Sequence, residues 1–162
     1  MRLDRPRQAT VLGLLVLLHF TLRPRLGPSL IAPDLLLLAL LLYAIRNRPG
    51  QAAVAGLLTG VLSDALVPAK FGAGALAHTV VGYLAAWGRA VFFPDNLLVN
   101  GAVIAVGVWL RNLIMALVSG EPGSALVPTL LLWSPLQALT TAACGALILL
   151  LFRDWLDIRL EV

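Results

Sequence analysis

Six apolar stretches separated by short polar or charged breaks organise the chain: residues 9–22, 30–45, 51–67, 72–93, 97–118 and 125–152. They run from 14 to 28 residues and hold 119 of the 162 positions, yet only four charged side chains fall inside them: Asp34, Asp64, Arg89 and Arg111. An even spread of the 20 charges would put about 15 there. A helix rising 1.5 Å per residue needs about 20 apolar residues to cross a bilayer core of about 30 Å. The pattern therefore predicts a single transmembrane domain over residues 1–162, an all-α bundle of six helices at about 6–22, 30–45, 51–67, 72–93, 97–118 and 125–152. The first stretch is short, and Pro6, a residue suited to a first helical position, extends it backwards.

The breaks have local causes. Pro24, Gly27 and Pro28 end the first stretch, Arg46-Asn47-Arg48-Pro49-Gly50 and Pro94-Asp95-Asn96 form tight turns, and Ser119 to Ser124 separates the last two stretches. Connections this short make consecutive helices antiparallel neighbours. They also leave no extramembrane segment large enough for a catalytic domain. The first stretch resembles a signal-peptide core behind basic residues, but Arg23-Pro24-Arg25 follows it in place of a small-residue cleavage site, so it is read as a retained helix.

Composition agrees: 60% of residues are apolar and 12% charged, against about 45–50% and about 25% in soluble domains. The net charge of +4 is distributed by side. Arg2, Arg5, Arg7, Arg46, Arg48, Arg89, Arg153 and Arg159 fall on one face of a six-crossing topology, and Arg23, Arg25 and Lys70 on the other. The positive-inside bias then places both termini in the cytoplasm. Without a contiguous basic face, nucleic acid is not an expected partner. Trp87, Phe92, Phe93 and Trp155 gather at the inner ends of helices, where aromatic rings favour the headgroup level, and the tail 153–162 is expected to be solvated or to lie along that surface. The single cysteine, Cys144, offers no disulfide framework.

Two stripes recur every four residues and so share a helix face: Ala52, Gly56, Gly60 and Asp64 in the third stretch, and Gly74, His78, Gly82 and Ala86 in the fourth. Small residues at this spacing let helix backbones approach closely, either within the bundle or against another membrane protein. Four ionisable groups, Asp34, Asp64, His78 and Arg111, come from four helices at overlapping depths: His78 is about 9 Å below the outer end of its helix and Arg111 about 21 Å up from the inner end of its own. Arg111 is expected to pair with Asp34 or Asp64, because an isolated charge at that depth costs about 2.5–3.5 kcal/mol. This cluster reads as a helix-tying network, a partner or ligand contact, or a relay. His19, placed about midway along the first helix, is expected to be a hydrogen-bonded packing residue. No zinc motif, nucleophilic triad or phosphate-binding glycine loop occurs. No metal, cofactor or enzymatic activity is expected.

Pro33-Asp34 opening a leucine-rich helix, an Arg-containing turn, Gly56-x3-Gly60-x3-Asp64, Phe71-Gly72, Ala75-Leu76 and Val81-Gly82-Tyr83-Leu84 together resemble the rod shape-determining MreD family. The resemblance covers about residues 10–150 and is most specific over 33–84. It implies a bacterial inner-membrane protein of the cell-elongation machinery that binds MreC, works alongside MreB, RodA and a class B penicillin-binding protein in peptidoglycan synthesis, and has a fold similar to the S components of energy-coupling-factor transporters. Residue by residue it carries Asp34, Gly56, Gly60, Asp64 and Gly82 as structural or interface positions. The alternative is an S-component-like module that binds a vitamin-type small molecule for uptake. Its Ala-x3-Ala coupling motif is missing from the first helix, which reads Val11-Leu-Gly-Leu-Leu-Val-Leu-Leu.

Overall fold

A computed structural model describes residues 5–22, 25, 31–65, 71–91 and 97–152. Arg2, Arg23, Pro24, Gly27, Pro28, Lys70, Phe92, Phe93, the turn at 94–96, Trp155 and the tail 153–162 lie outside the described residues.

Ten residues, Leu35–Ala44, form the helix α2, and nine of them are buried. A helix that is apolar all round has no face to give to solvent and belongs at a centre. Four others pack around it: α1 (Arg5–Leu22), α3 (Pro49–Asp64), α4 (Ala73–Val91) and α5 (Leu97–Val118). The remaining helical run, Gly123–Leu151, comprises α6 (Gly123–Pro128), a π-helical turn at Thr129–Trp133, and α7 (Ser134–Leu151), which also reaches α2. The regular structure of the described residues is thus helical, in six main runs joined by short non-helical segments, with no strand among the described residues. Their outer faces carry exposed Leu57, Leu58, Leu98, Leu131 and Leu139, the surface of a molecule solvated by lipid.

Two helices are long and apolar enough to cross a membrane, Leu97–Val118 and Gly123–Leu151. By contrast, α2 is about 15 Å long, half a hydrocarbon core. The expectation of a helix over 30–45 is corrected here. Residues 31–34 are non-helical, and Asp34 stands outside the helix as its N-cap, its carboxylate accepting the Leu37 N–H at 3.0 Å. Pro33 favours an extended preceding residue, and an aspartate competes better as a cap than as a helical residue.

Turn chemistry follows the sequence closely. After α2, Asn47 donates its side-chain N–H to the Tyr43 carbonyl at 2.8 Å, and Pro49 starts α3. At the end of α5, Gly120 has φ of 65°; its N–H bonds to the Leu117 carbonyl and the Glu121 N–H to that of Ala116. This is a Schellman closure, which needs a residue tolerant of the left-handed region. The π turn also has a local cause. Ser134 N–H reaches back five residues to the Thr129 carbonyl, and Pro135 has no N–H to give to Leu130. The indole N–H of Trp109 in α5 takes that carbonyl instead, at 3.1 Å.

Candidate functional site

The two small-residue stripes face each other. A Cβ added at Gly56 would overlap the carbonyl of His78, one at Gly60 the backbone of Gly74 and Ala75, and one at Gly82 would lie 2.7 Å from the Ala52 carbonyl. Four residues along α3 correspond to four in the opposite direction along α4, so both stripes form one antiparallel seam. Ala52, Gly56, Gly60 and Asp64 are the buried residues of α3. With backbones this close, small side chains are a geometric requirement inside the molecule.

Asp64 ends the seam. One carboxylate oxygen accepts the Gly74 N–H at 3.0 Å and the other accepts those of Gly72 at 2.8 Å and Ala75 at 2.9 Å. These are donors from the first turn of α4 and the residue before it, which a helix cannot satisfy itself. A carboxylate is also favoured at that positive end. Gly74 has no room for a Cβ because Asp64 occupies the space. His78, buried one turn further on, pairs its Nδ1 with the Gly74 carbonyl at 2.8 Å.

Asp34 and Arg111 are brought together. One Arg111 nitrogen contacts Asp34 Oδ2, both side chains being largely buried, while a second donates to Asn112 Oδ1 at 2.8 Å. Of the four ionisable groups expected at one depth, these two therefore form an ion pair. Asp64 is instead given to the amino end of α4, with His78 beside it.

Around Asp34 lies a set of polar residues that the sequence reading passed over. Asn112 donates to Gln137 Oε1 at 2.9 Å, and Gln137 donates to the Ala32 carbonyl at 3.3 Å. Thr140 donates to the Ile31 carbonyl at 2.8 Å, and Thr141 accepts the Asp34 N–H at 3.1 Å. Backbone that is not helical must find partners inside the protein when lipid surrounds it, and α7 supplies them to residues 31–34. A sequence signal existed: Gln137, Thr140 and Thr141 share one face of an otherwise apolar run. His19, read from the sequence as a hydrogen-bonded packing residue, joins them. It lies in the last turn of α1, not midway along it, because the helix ends at Leu22. Its Nδ1 accepts the Leu36 N–H at 3.0 Å, which leaves that nitrogen without a proton and makes the 3.4 Å approach to Asp34 Oδ1 a contact between two acceptors. Two side chains, from α1 and from the segment before α2, thus cap successive N–H groups of the central helix.

Chemically, both centres hold helix ends in place. Asp34 and Asp64 direct their oxygens to N–H groups and to Arg111, and the oriented dipoles stabilise charge that lipid would not. Among the described residues, no group of three or more His, Cys, Asp or Glu side chains is placed to hold a metal ion.

The family model described as rod shape-determining protein MreD matches residues 8–153. No curated protein and no solved structure matches the chain.

Proposed function

Because this chain belongs to the MreD family and so to the proteins of rod shape determination, we propose that it acts as a non-enzymatic scaffold of the cell-elongation machinery. In this reading it spans the bacterial inner membrane six times with both termini in the cytoplasm, binds MreC, and links it to peptidoglycan synthesis by RodA and a class B penicillin-binding protein along MreB filaments. The family match over residues 8–153 carries the reading. The site geometry supports it: the carboxylates, Arg111 and the α7 polar residues bond to one another and to the protein's own backbone, and the α3 and α4 stripes are consumed by each other. A partner must then be met on the remaining, largely apolar helix faces, as suits another membrane helix. The fold is read as similar to that of S components, with six helices around a common core.

Purification from the membrane in a mild detergent, with mass spectrometry of co-purifying proteins and small molecules, tests this. Recovery of MreC in stoichiometric amount is expected, together with loss of rod shape when the protein is depleted. A stoichiometric vitamin-type molecule with no cell-wall partner would replace the scaffold by the carrier reading.

A further inference from the structure

A proline inside a membrane helix leaves a carbonyl one turn earlier without its amide donor. Two adjustments repair this: a local π turn, or a serine or threonine side chain that donates in place of the missing N–H. Both are available at Pro135, and the structure uses one. Ser134 N–H closes on Thr129, five residues back, so the carbonyl left without a donor is that of Leu130, and the Trp109 indole takes it at 3.1 Å. The serine beside the proline is idle: Ser134 is 1% exposed and its hydroxyl has no hydrogen-bond partner among the described residues. Other helical hydroxyls behave differently. Thr10, Thr21, Thr59, Thr79 and Thr140 each donate to a carbonyl three or four residues earlier.

An ordinary α register gives the Ser134 hydroxyl a use. With bonding to the fourth residue back, Ser134 N–H closes on Leu130, and the carbonyl that Pro135 cannot serve becomes that of Leu131, three residues before Ser134 and within reach of its side chain. Each register thus has one bare carbonyl and one side-chain donor for it: Leu130 with Trp109, or Leu131 with Ser134. The Pro135 ring crowds the Leu131 carbonyl in the α register, which favours the π register seen. The two registers differ by one residue of helical phase, a rotation of about 100° and a rise of about 1.5 Å. Little resists that rotation in Gly123–Trp133. No residue of α6 or of the π turn is buried, and ahead of them Gly120 holds a φ of 65° and a Cβ at Gly123 would meet nothing within 4 Å.

We propose that the run Gly123–Leu151 is a two-register switch, in which exchange of the Trp109–Leu130 bond for a Ser134–Leu131 bond converts the π turn to α-helix and rotates Gly123–Trp133 against the bundle. The exposed side chains of that segment, Val127 and Leu131 among them, then face a different direction, while α7 and its bonds to residues 31–34 stay in place. The inference does not depend on any partner of the elongation machinery.

The test places one spin label at Ser124→Cys or Val127→Cys in α6 and a second at Leu62→Cys in α3, all exposed positions, in a Cys144→Ala chain in nanodiscs, and reads the distances by pulsed electron resonance. A rotation of about 100° at a helix radius of about 5–6 Å moves each α6 label by about 8 Å, and the two α6 sites point about 60° apart, so a rotation hidden from one is seen by the other. Pro135→Ala, which restores the N–H and removes the crowding, is expected to give the α-register distances outright. Trp109→Phe should move a measurable share of molecules to those same distances, and adding Ser134→Ala should return them to the wild-type ones. Should Trp109→Phe fail to fold, Trp109→Leu, which likewise lacks the indole N–H, takes its place. Wild-type distances in Pro135→Ala would overturn the proposal, as would Trp109→Phe distances that broaden without reaching those of Pro135→Ala. So would a shift in Trp109→Phe that persists without the Ser134 hydroxyl.

Discussion

At the scale of single residues, the cost of burying charge decides what each polar group does. Removing Arg111 leaves the Asp34 carboxylate buried against lipid-facing helices, and breaking such a pair from one side costs about 3–5 kcal/mol. Arg111→Leu is therefore expected to lower the unfolding midpoint in detergent strongly. Asp34→Asn in the same chain should recover most of the loss, since asparagine caps a helix nearly as well and carries no charge; a double-mutant cycle reads the coupling. Ser134 offers the opposite case. Its hydroxyl is buried and has no hydrogen-bond partner among the described residues, so Ser134→Ala should hold or raise stability, whereas His19→Leu should cost about 1–3 kcal/mol by leaving the Leu36 N–H unsatisfied. Thermal unfolding of the two variants side by side separates them. The pairing of a membrane-buried arginine with a carboxylate is legible in sequence, because an unpaired one is so unfavourable. The choice of Asp34 over Asp64 is not, because it depends on which helix end each carboxylate caps. For His19 a hydrogen-bonded packing role was legible but its partner was not, since nothing local to α1 says that its ring serves another helix.

At the scale of elements, α3 and α4 behave as one unit. Gly60→Leu would drive a side chain into the backbone of Gly74 and Ala75, which cannot move aside as a side chain can, so the penalty should exceed the ~1–3 kcal/mol typical of overpacked cores. Expression and monodispersity should fall for Gly60→Leu and stay at wild-type level for Leu58→Ala on the exposed face of the same helix. The four-residue spacing made each stripe visible in the sequence, but spacing cannot say whether a stripe meets its own chain or another. Only the matching register along both helices decides that. The π turn was out of reach because it is a compromise between Pro135 and Trp109, residues 26 apart in the chain. Trp109→Phe should leave the Leu130 carbonyl without its indole donor and cost about 0.6–1.7 kcal/mol, the range of interhelical bonds in membranes, seen as faster hydrogen exchange at Thr129–Trp133.

At the scale of the whole molecule, hydropathy divided the chain into its six helical runs, and the shortness of the connections made neighbours of consecutive ones. It could not show that α2 is a short central helix, because a run of leucines looks the same whether lipid or protein surrounds it. Three polar side chains of α7 make the difference. Replacing Gln137, Thr140 and Thr141 together by Leu, Val and Val should free the segment 31–34 and uncouple α2 from α7, with loss of the cooperative unfolding transition as the measurement. Those contacts join residues 105 to 109 positions apart, and this has a consequence for biosynthesis. The central helix is synthesised well before α7, which supplies these groups to its amino end. Until then residues 31–34 lack these three partners, and a chain truncated before Gln137 is expected to exchange its Asp34 amide hydrogen faster than the full chain does. The hydrogen bonding of the core is thereby closed late, once α7 has been made.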